Sequence, residues 1–261
     1  MLTRILSALV LVPAVFGCVW FLPPWALLIV AGAVLTLAFL EYARLAEAGG
    51  AHVPRVAALV AALAACASVA LAIPLELALV AALVALGATV LGSRRPGPGV
   101  LSDVAAATFP VLYLGVPIGT LVALRASAGR EAVLLLLMTI IVSDSAQYYA
   151  GRLFGRHRLA PLISPKKTVE GALGGFVAAP VVLALVGRAW LPAVHTPFLL
   201  LVGLVLVALG VVGDLFESLL KRSVDIKDSS GLIPGHGGVL DRIDALLFAA
   251  PVFYVLLKYG G

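Results

Sequence analysis

A chain of 261 residues that is 62% hydrophobic and 12% charged is too apolar for a water-soluble domain, where charged residues reach about 25%. Apolar runs of roughly twenty residues recur along its whole length, so the sequence reads as an all-α polytopic membrane protein. The net charge of +5 then belongs to loops facing anionic headgroups or substrates, and no nucleic-acid partner is expected. Cys18 and Cys66 lie in apolar runs without zinc or CxxC spacing. They read as small buried hydrophobes.

Nine spans are expected, near 4–22, 25–46, 54–73, 75–92, 103–124, 131–152, 169–188, 197–220 and 240–258. The N-terminal MLTRILSALVLVPAVFG places one arginine before an apolar run, as a signal peptide does. It offers no convincing small-residue cleavage site before Pro23-Pro24, and so reads as the first transmembrane helix. Ile73-Pro74 predicts a tight turn between the third and fourth spans, and SRRPGPG (93–99) a clear break. With the N-terminus cytoplasmic, every Lys and Arg except Arg125, Arg130, Arg188 and Lys258 falls on the cytoplasmic side, a strong positive-inside bias. Residues 1–130 read as a scaffold offering dimer contacts and 131–261 as the catalytic part, within one integral membrane unit.

The first half is chemically quiet. Glu41 and Arg44, one helical step apart, are placed to pair at the cytoplasmic interface. Glu76 is expected to reach water at the far surface. Pro110 and Pro117 around Tyr113 predict a kinked fifth helix.

The second half differs. Asp144, in IIVSDSAQYYAGRLFGRH, lies deep in its span, where an unpaired charge is costly. It reads as facing a polar cavity, or else as pairing with Arg152. The following loop carries a cluster of cations, with Lys166 and Lys167 just before Thr168 and a new span. Backbone N–H groups at such a helix start add partial positive charge and suit phosphate.

Residues 214–244, DLFESLLKRSVDIKDSSGLIPGHGGVLDRID, concentrate five aspartates and one glutamate in an otherwise greasy chain. Asp214, Glu217 and Ser218 can share one helix face, and Asp241 and Asp244 repeat the three-residue spacing at the head of the last span. Two acid-bearing helix ends joined by a Gly-rich loop can converge on one or two hard cations. Lys221, Arg222, Lys227 and Arg242 surround them as phosphate contacts. Gly237 and Gly238, in GHGG, let backbone approach a ligand closely.

This pattern resembles that of phosphatidate cytidylyltransferase, or CDP-diacylglycerol synthase. That signature runs Ser-x-x-Lys-Arg, four residues, Lys-Asp, then His-Gly-Gly, then Asp-Arg-x-Asp. Here it is Ser218, Lys221, Arg222, Lys227, Asp228, His236, Gly237, Gly238, Asp241, Arg242 and Asp244. SPKKTVEG (164–171) and Asp144 with GRLFGRH are similar to two further stretches of the family. The likeness is specific over roughly residues 140–250. One departure is Ser145, where threonine would follow Asp144; the hydroxyl is kept.

The resemblance implies CMP transfer from CTP to phosphatidate, giving CDP-diacylglycerol and pyrophosphate at the cytoplasmic face of the cell membrane. It implies Mg²⁺ held by Asp214 and Asp241, help from a monovalent cation such as K⁺, and a homodimer. Asp244 would serve as a further ligand or as a neighbour of one. Lys166, Lys167, Lys221, Arg222 and Arg242 would neutralise the two substrates, His236 would orient a phosphate or the loop, and Asp144 would shape the cavity or hold a lysine. The alternatives are a CTP-dependent polyprenol kinase and, from another class, an ion-coupled transporter.

Overall fold

The structure, a computed structural model, describes residues 2–93, 95–235 and 237–260, with side chains from residue 9 onward. The chain begins with α1 (Leu2–Phe21), α2 (Pro24–Ala48), α3 (Arg55–Ala70), α4 (Leu75–Ser93) and α5 (Val100–Pro110). A π-helical turn, Val111–Gly115, carries α5 directly into α6 (Val116–Phe154). Then come β1 (Arg158–Ala160), β2 (Ser164–Thr168), α7 (Val169–Trp190), α8 (Thr196–Arg222) and α9 (Leu240–Tyr259).

Each expected span falls on a helix. Five helical stretches are long and apolar enough to cross a membrane among the described residues: Pro24–Ala48, Leu75–Ser93, Val100–Phe154, Val169–Trp190 and Thr196–Arg222. The expected fifth and sixth spans are one helical run of 55 residues, broken at Gly129, whose φ of 86° and ψ of 176° leave the helical region. The predicted kink near Tyr113 is realised as the π turn. Pro117 has no N–H to return to the carbonyl four residues back, and a wider turn absorbs that missing bond.

Contacts divide the chain into two compact units. The first is Met1–Ala126 together with Ser223–Ile243. In it α3 lies against the π turn with backbones almost touching. A Cβ on Gly115 would stand 2.5 Å from the Ala62 carbonyl oxygen, and one on Gly119 2.6 Å from that of Cys66. Small residues permit this approach where no hydrophobic driving force separates helix from lipid. Tyr113 is buried, stacked 4.9 Å from Phe109, so it belongs to the core of this unit. Arg125 donates from Nε to the Val19 carbonyl at 3.1 Å, satisfying an orphan acceptor at the end of α1.

The second unit is Ser127–Arg222 together with Asp244–Gly261. Here α7 and α8 pack closely: a Cβ on Gly203 would meet the Pro180 Cα at 2.5 Å. Gly213 of α8 similarly lets the Asp244 carbonyl of α9 approach. The cationic segment after α6 forms an antiparallel hairpin, with Arg158 opposite Thr168 and Ala160 opposite Ser164. Sequence reasoning missed it, because strands of three and five residues rich in Lys and Pro carry no apolar alternation.

Candidate active site

The signature residues divide between the two units, and each group has its own chemistry. In the first unit, the chain leaves α8 and loops through Ser223–Val239 before entering α9. Asp241, in the first turn of α9, folds that loop back onto itself. Its Oδ2 accepts from Gly238 N (2.7 Å) and Ser229 N (3.0 Å), with Ser229 Oγ 3.1 Å away. A carboxylate at a helix start is favoured by the free N–H groups and by the dipole. Gly237 sits at φ 82°, a left-handed conformation that glycine adopts without cost.

The folded loop borders an open cavity of about 550 Å³, lined by Lys227, Asp228, Ser230, Gly231, Ile233, Gly235, Gly237 and Arg242. Lys227 and Arg242 are exposed cations, and the glycines bring backbone close to whatever enters. Such a lining suits a polyanion, with charge-assisted bonds from two side chains. His236 lies outside the described residues.

A second carboxylate, one that sequence reasoning set aside, holds the same loop. Glu41 of α2 is 3% exposed and turns to the loop instead of to Arg44. Its Oε1 accepts from Ser230 Oγ (2.6 Å) and Val239 N (3.0 Å). Its Oε2 accepts from Ser229 Oγ (2.9 Å) and Leu240 N (2.8 Å). The only hint in the sequence was an acid on an apolar helix, which demands partners.

In the second unit the hairpin presents Lys167 to α8, with its Nζ 2.5 Å from Asp214 Oδ2. Thr168, the N-cap of α7, accepts from Gly171 N at 3.1 Å. Glu170 closes the other end of the hairpin, accepting from Arg156 N (3.0 Å) and lying 2.6 Å from His157 Nδ1. Gly151 leaves room for Thr168, whose Oγ1 would stand 2.8 Å from a Cβ there. The GRLFGRH glycine therefore seats the lysine strand. Lys166 points outward and is exposed.

Ser218 Oγ lies 3.4 Å from Asp214 Oδ1. Asp244 is within electrostatic reach of Asp214, Asp144 and Lys221. Lys221 is buried and forms an ion pair at 2.5 Å with Glu217, itself 1% exposed. Asp144 is exposed, with Gln147 Nε2 at 3.5 Å, and Arg222 is exposed. Arg152 donates to the Tyr148 hydroxyl (3.4 Å).

Among the described residues no three His, Cys, Asp or Glu side chains converge tightly enough to cage a metal ion. Magnesium needs no such cage, since it keeps waters and takes one or two carboxylates plus substrate phosphates. Three like charges near one another at Asp144, Asp214 and Asp244, with a lysine drawn onto Asp214, fit that mode of binding.

The family model described as the cytidylyltransferase family matches residues 2–260. The chain belongs to this family. It is similar to the phosphatidate cytidylyltransferase of Bacillus subtilis, with 39% identity over 160 residues, covering 59% of this chain and 58% of the relative. It is 43% identical over 154 residues to the phosphatidate cytidylyltransferase of Helicobacter pylori, covering 59% of this chain and 57% of the relative. An uncharacterized Escherichia coli protein, YnbB, is 42% identical over 131 residues, covering 50% of this chain and 44% of the relative. The match thus spans about half the length of these relatives.

Proposed function

We propose that this cytidylyltransferase is a phosphatidate cytidylyltransferase, transferring CMP from CTP to phosphatidate with release of pyrophosphate. The observation that carries the reading is the complete sequence signature of residues 218–244; it is supported by Lys227 and Arg242 lining one cavity and, outside the signature, by Lys167 meeting Asp214.

A phosphomonoester is largely dianionic near neutral pH, its second pKa being about 6. The attacking oxygen therefore needs no strong base. The barrier lies in bringing anions together and stabilising the leaving pyrophosphate, which is a task for fixed positive charge. Lys227 and Arg242 bind and neutralise the triphosphate, and Arg222 and Lys166 supply further positive charge. Lys167, held by Asp214, keeps its ammonium directed, and Lys221 does the same from its place beside Glu217. Ser218 offers a hydroxyl to Asp214, and Asp144 keeps the surroundings polar. Asp214 and Asp244 in the second unit, and Asp241 in the first, are the carboxylates we would test as Mg²⁺ ligands; the ion would supply charge stabilisation at the phosphoryl oxygens. A monovalent cation such as K⁺ would add to that charge. The reading also includes nine membrane crossings, a cytoplasmic N-terminus and site, residence in the cell membrane and a homodimer.

The test is an assay of the purified protein in detergent with CTP, phosphatidate and Mg²⁺. CDP-diacylglycerol and pyrophosphate are the expected products. Release of CDP with a phosphorylated lipid would replace this reading with a lipid kinase. Substrate flux in proteoliposomes without nucleotide consumption would replace it with a transporter.

A further inference from the structure

We infer that Glu41 is a positioning residue for the nucleotide-binding loop, acting from the second helix on a cavity whose lining lies nearly two hundred residues downstream. The inference rests on the proposed function for what the loop binds, but its geometry stands within the first unit alone.

A carboxylate that is 3% exposed must have its lone pairs met, because an ionised group out of water is costly unless hydrogen-bonded. Glu41 is met by four donors, all from residues 229–240. Each oxygen takes one serine hydroxyl and one backbone N–H. The two N–H groups, of Val239 and Leu240, are those at the start of α9. Such groups have no partner within the helix and are usually capped by a side chain nearby in sequence. Here the cap comes from α2.

The loop is also tied to Asp241 through the same serine. Ser229 Oγ stands 2.9 Å from Glu41 Oε2 and 3.1 Å from Asp241 Oδ2. A hydroxyl has one proton to donate, so Ser229 Oγ serves one carboxylate at a time, here the nearer Glu41, and Asp241 keeps the Ser229 N–H. Gly238 fits into the remaining space: a Cβ there would collide with Ser229 Oγ and Glu41 Oε2. Glu41 is therefore the post around which the loop is wound. Ser230, one of its donors, lines the cavity. Gly237 and Arg242, also in the lining, adjoin Gly238 and Asp241. Losing the post lets the loop sample other shapes while leaving every cavity residue present.

The experiment compares wild type with Glu41→Gln in the full chain, in detergent. The amide keeps the side chain's size but turns an N–H₂ toward one of the two backbone donors. A loop that is competent about a tenth of the time raises apparent nucleotide KM about tenfold, because apparent affinity falls by the competent fraction. The kcat at saturating CTP and the KM for phosphatidate should each stay within about threefold. Hydrogen exchange should quicken at least tenfold at residues 228–240 and remain unchanged in α3.

Unchanged exchange in the loop, or a fall in kcat with no change in nucleotide KM, overturns the inference. So does faster exchange throughout α3, which would mark a general loss of packing. Should Glu41→Gln fail to fold, Ser230→Ala removes one donor of the four and must quicken exchange at residues 228–240 on a smaller scale, with α3 unchanged. If wild type forms no CDP-diacylglycerol, the proposed function falls, and the exchange comparison still decides the role of Glu41.

Discussion

Lys167 and Asp214, on the hairpin strand β2 and on α8, meet at 2.5 Å. They are separated by the whole of α7, and each was expected to serve the site by itself, one as a phosphate contact and the other as a metal ligand. Their contact makes them a unit. Removing either one loses both its own charge and the orientation of the other.

The consequence for kinetics is non-additivity. Lys167→Gln and Asp214→Asn should each lower kcat by at least about a hundredfold, the scale seen when one preorganised electrostatic group is deleted. The double variant should be no slower than the slower single, since coupled residues do not add. Turnover measured by pyrophosphate release checks this. A double variant slowed by the product of the two single effects would show that they act independently.

Asp241 separates loop folding from charge. In Asp241→Asn the amide oxygen can still face Gly238 N and Ser229 N, so hydrogen exchange at 228–240 should stay within about threefold of wild type. Turnover should nonetheless fall at least about a hundredfold if the carboxylate binds the metal. Chelation with EDTA should abolish wild-type turnover, and added Mg²⁺ should restore it. Near-normal rates in the asparagine variant would end the metal assignment.

Gly238→Ala tests how tightly the loop is wound. The new methyl would collide with Ser229 Oγ and Glu41 Oε2, and overpacking of this kind costs about 1–3 kcal/mol. Gly231→Ala, which meets nothing within 4 Å, should fall within about 0.5 kcal/mol. Thermal unfolding of both variants in one detergent gives the comparison.

Glu217 and Lys221 form a buried pair, and burial makes one-sided removal worse than removing both. Glu217→Leu should destabilise by about 3–5 kcal/mol, the cost of breaking a buried ion pair from one side. Adding Lys221→Met should recover at least half of that loss. Melting temperatures of the single and double variants measure it; a double variant less stable than the single would show that the ion pair itself contributes net stability.

The helices were readable because lipid asks for about twenty apolar residues, and Pro and Gly mark their ends. The expected span 75–92 became Leu75–Ser93, and 240–258 became Leu240–Tyr259. The signature was legible as spacing alone; its placement was not, with Asp241 turned to Gly238 N and Ser229 N and Arg242 in the cavity lining. The hairpin was not, since its short polar strands have no face to bury. Glu41 was not either: Arg44 one turn away offered a local partner, whereas its real donors lie 188 to 199 positions along the chain. Periodicity reports a helix's own faces and says nothing about which distant serine will arrive.

The dependence of residues 229–240 on a carboxylate from α2 also governs how this protein can be recombined with its relatives. A hybrid joining the front of one homologue to the back of another would bring together a loop and an anchor that were never selected as a pair. Crossovers that exchange both segments together should yield working hybrids more often than a single cut at mid-chain.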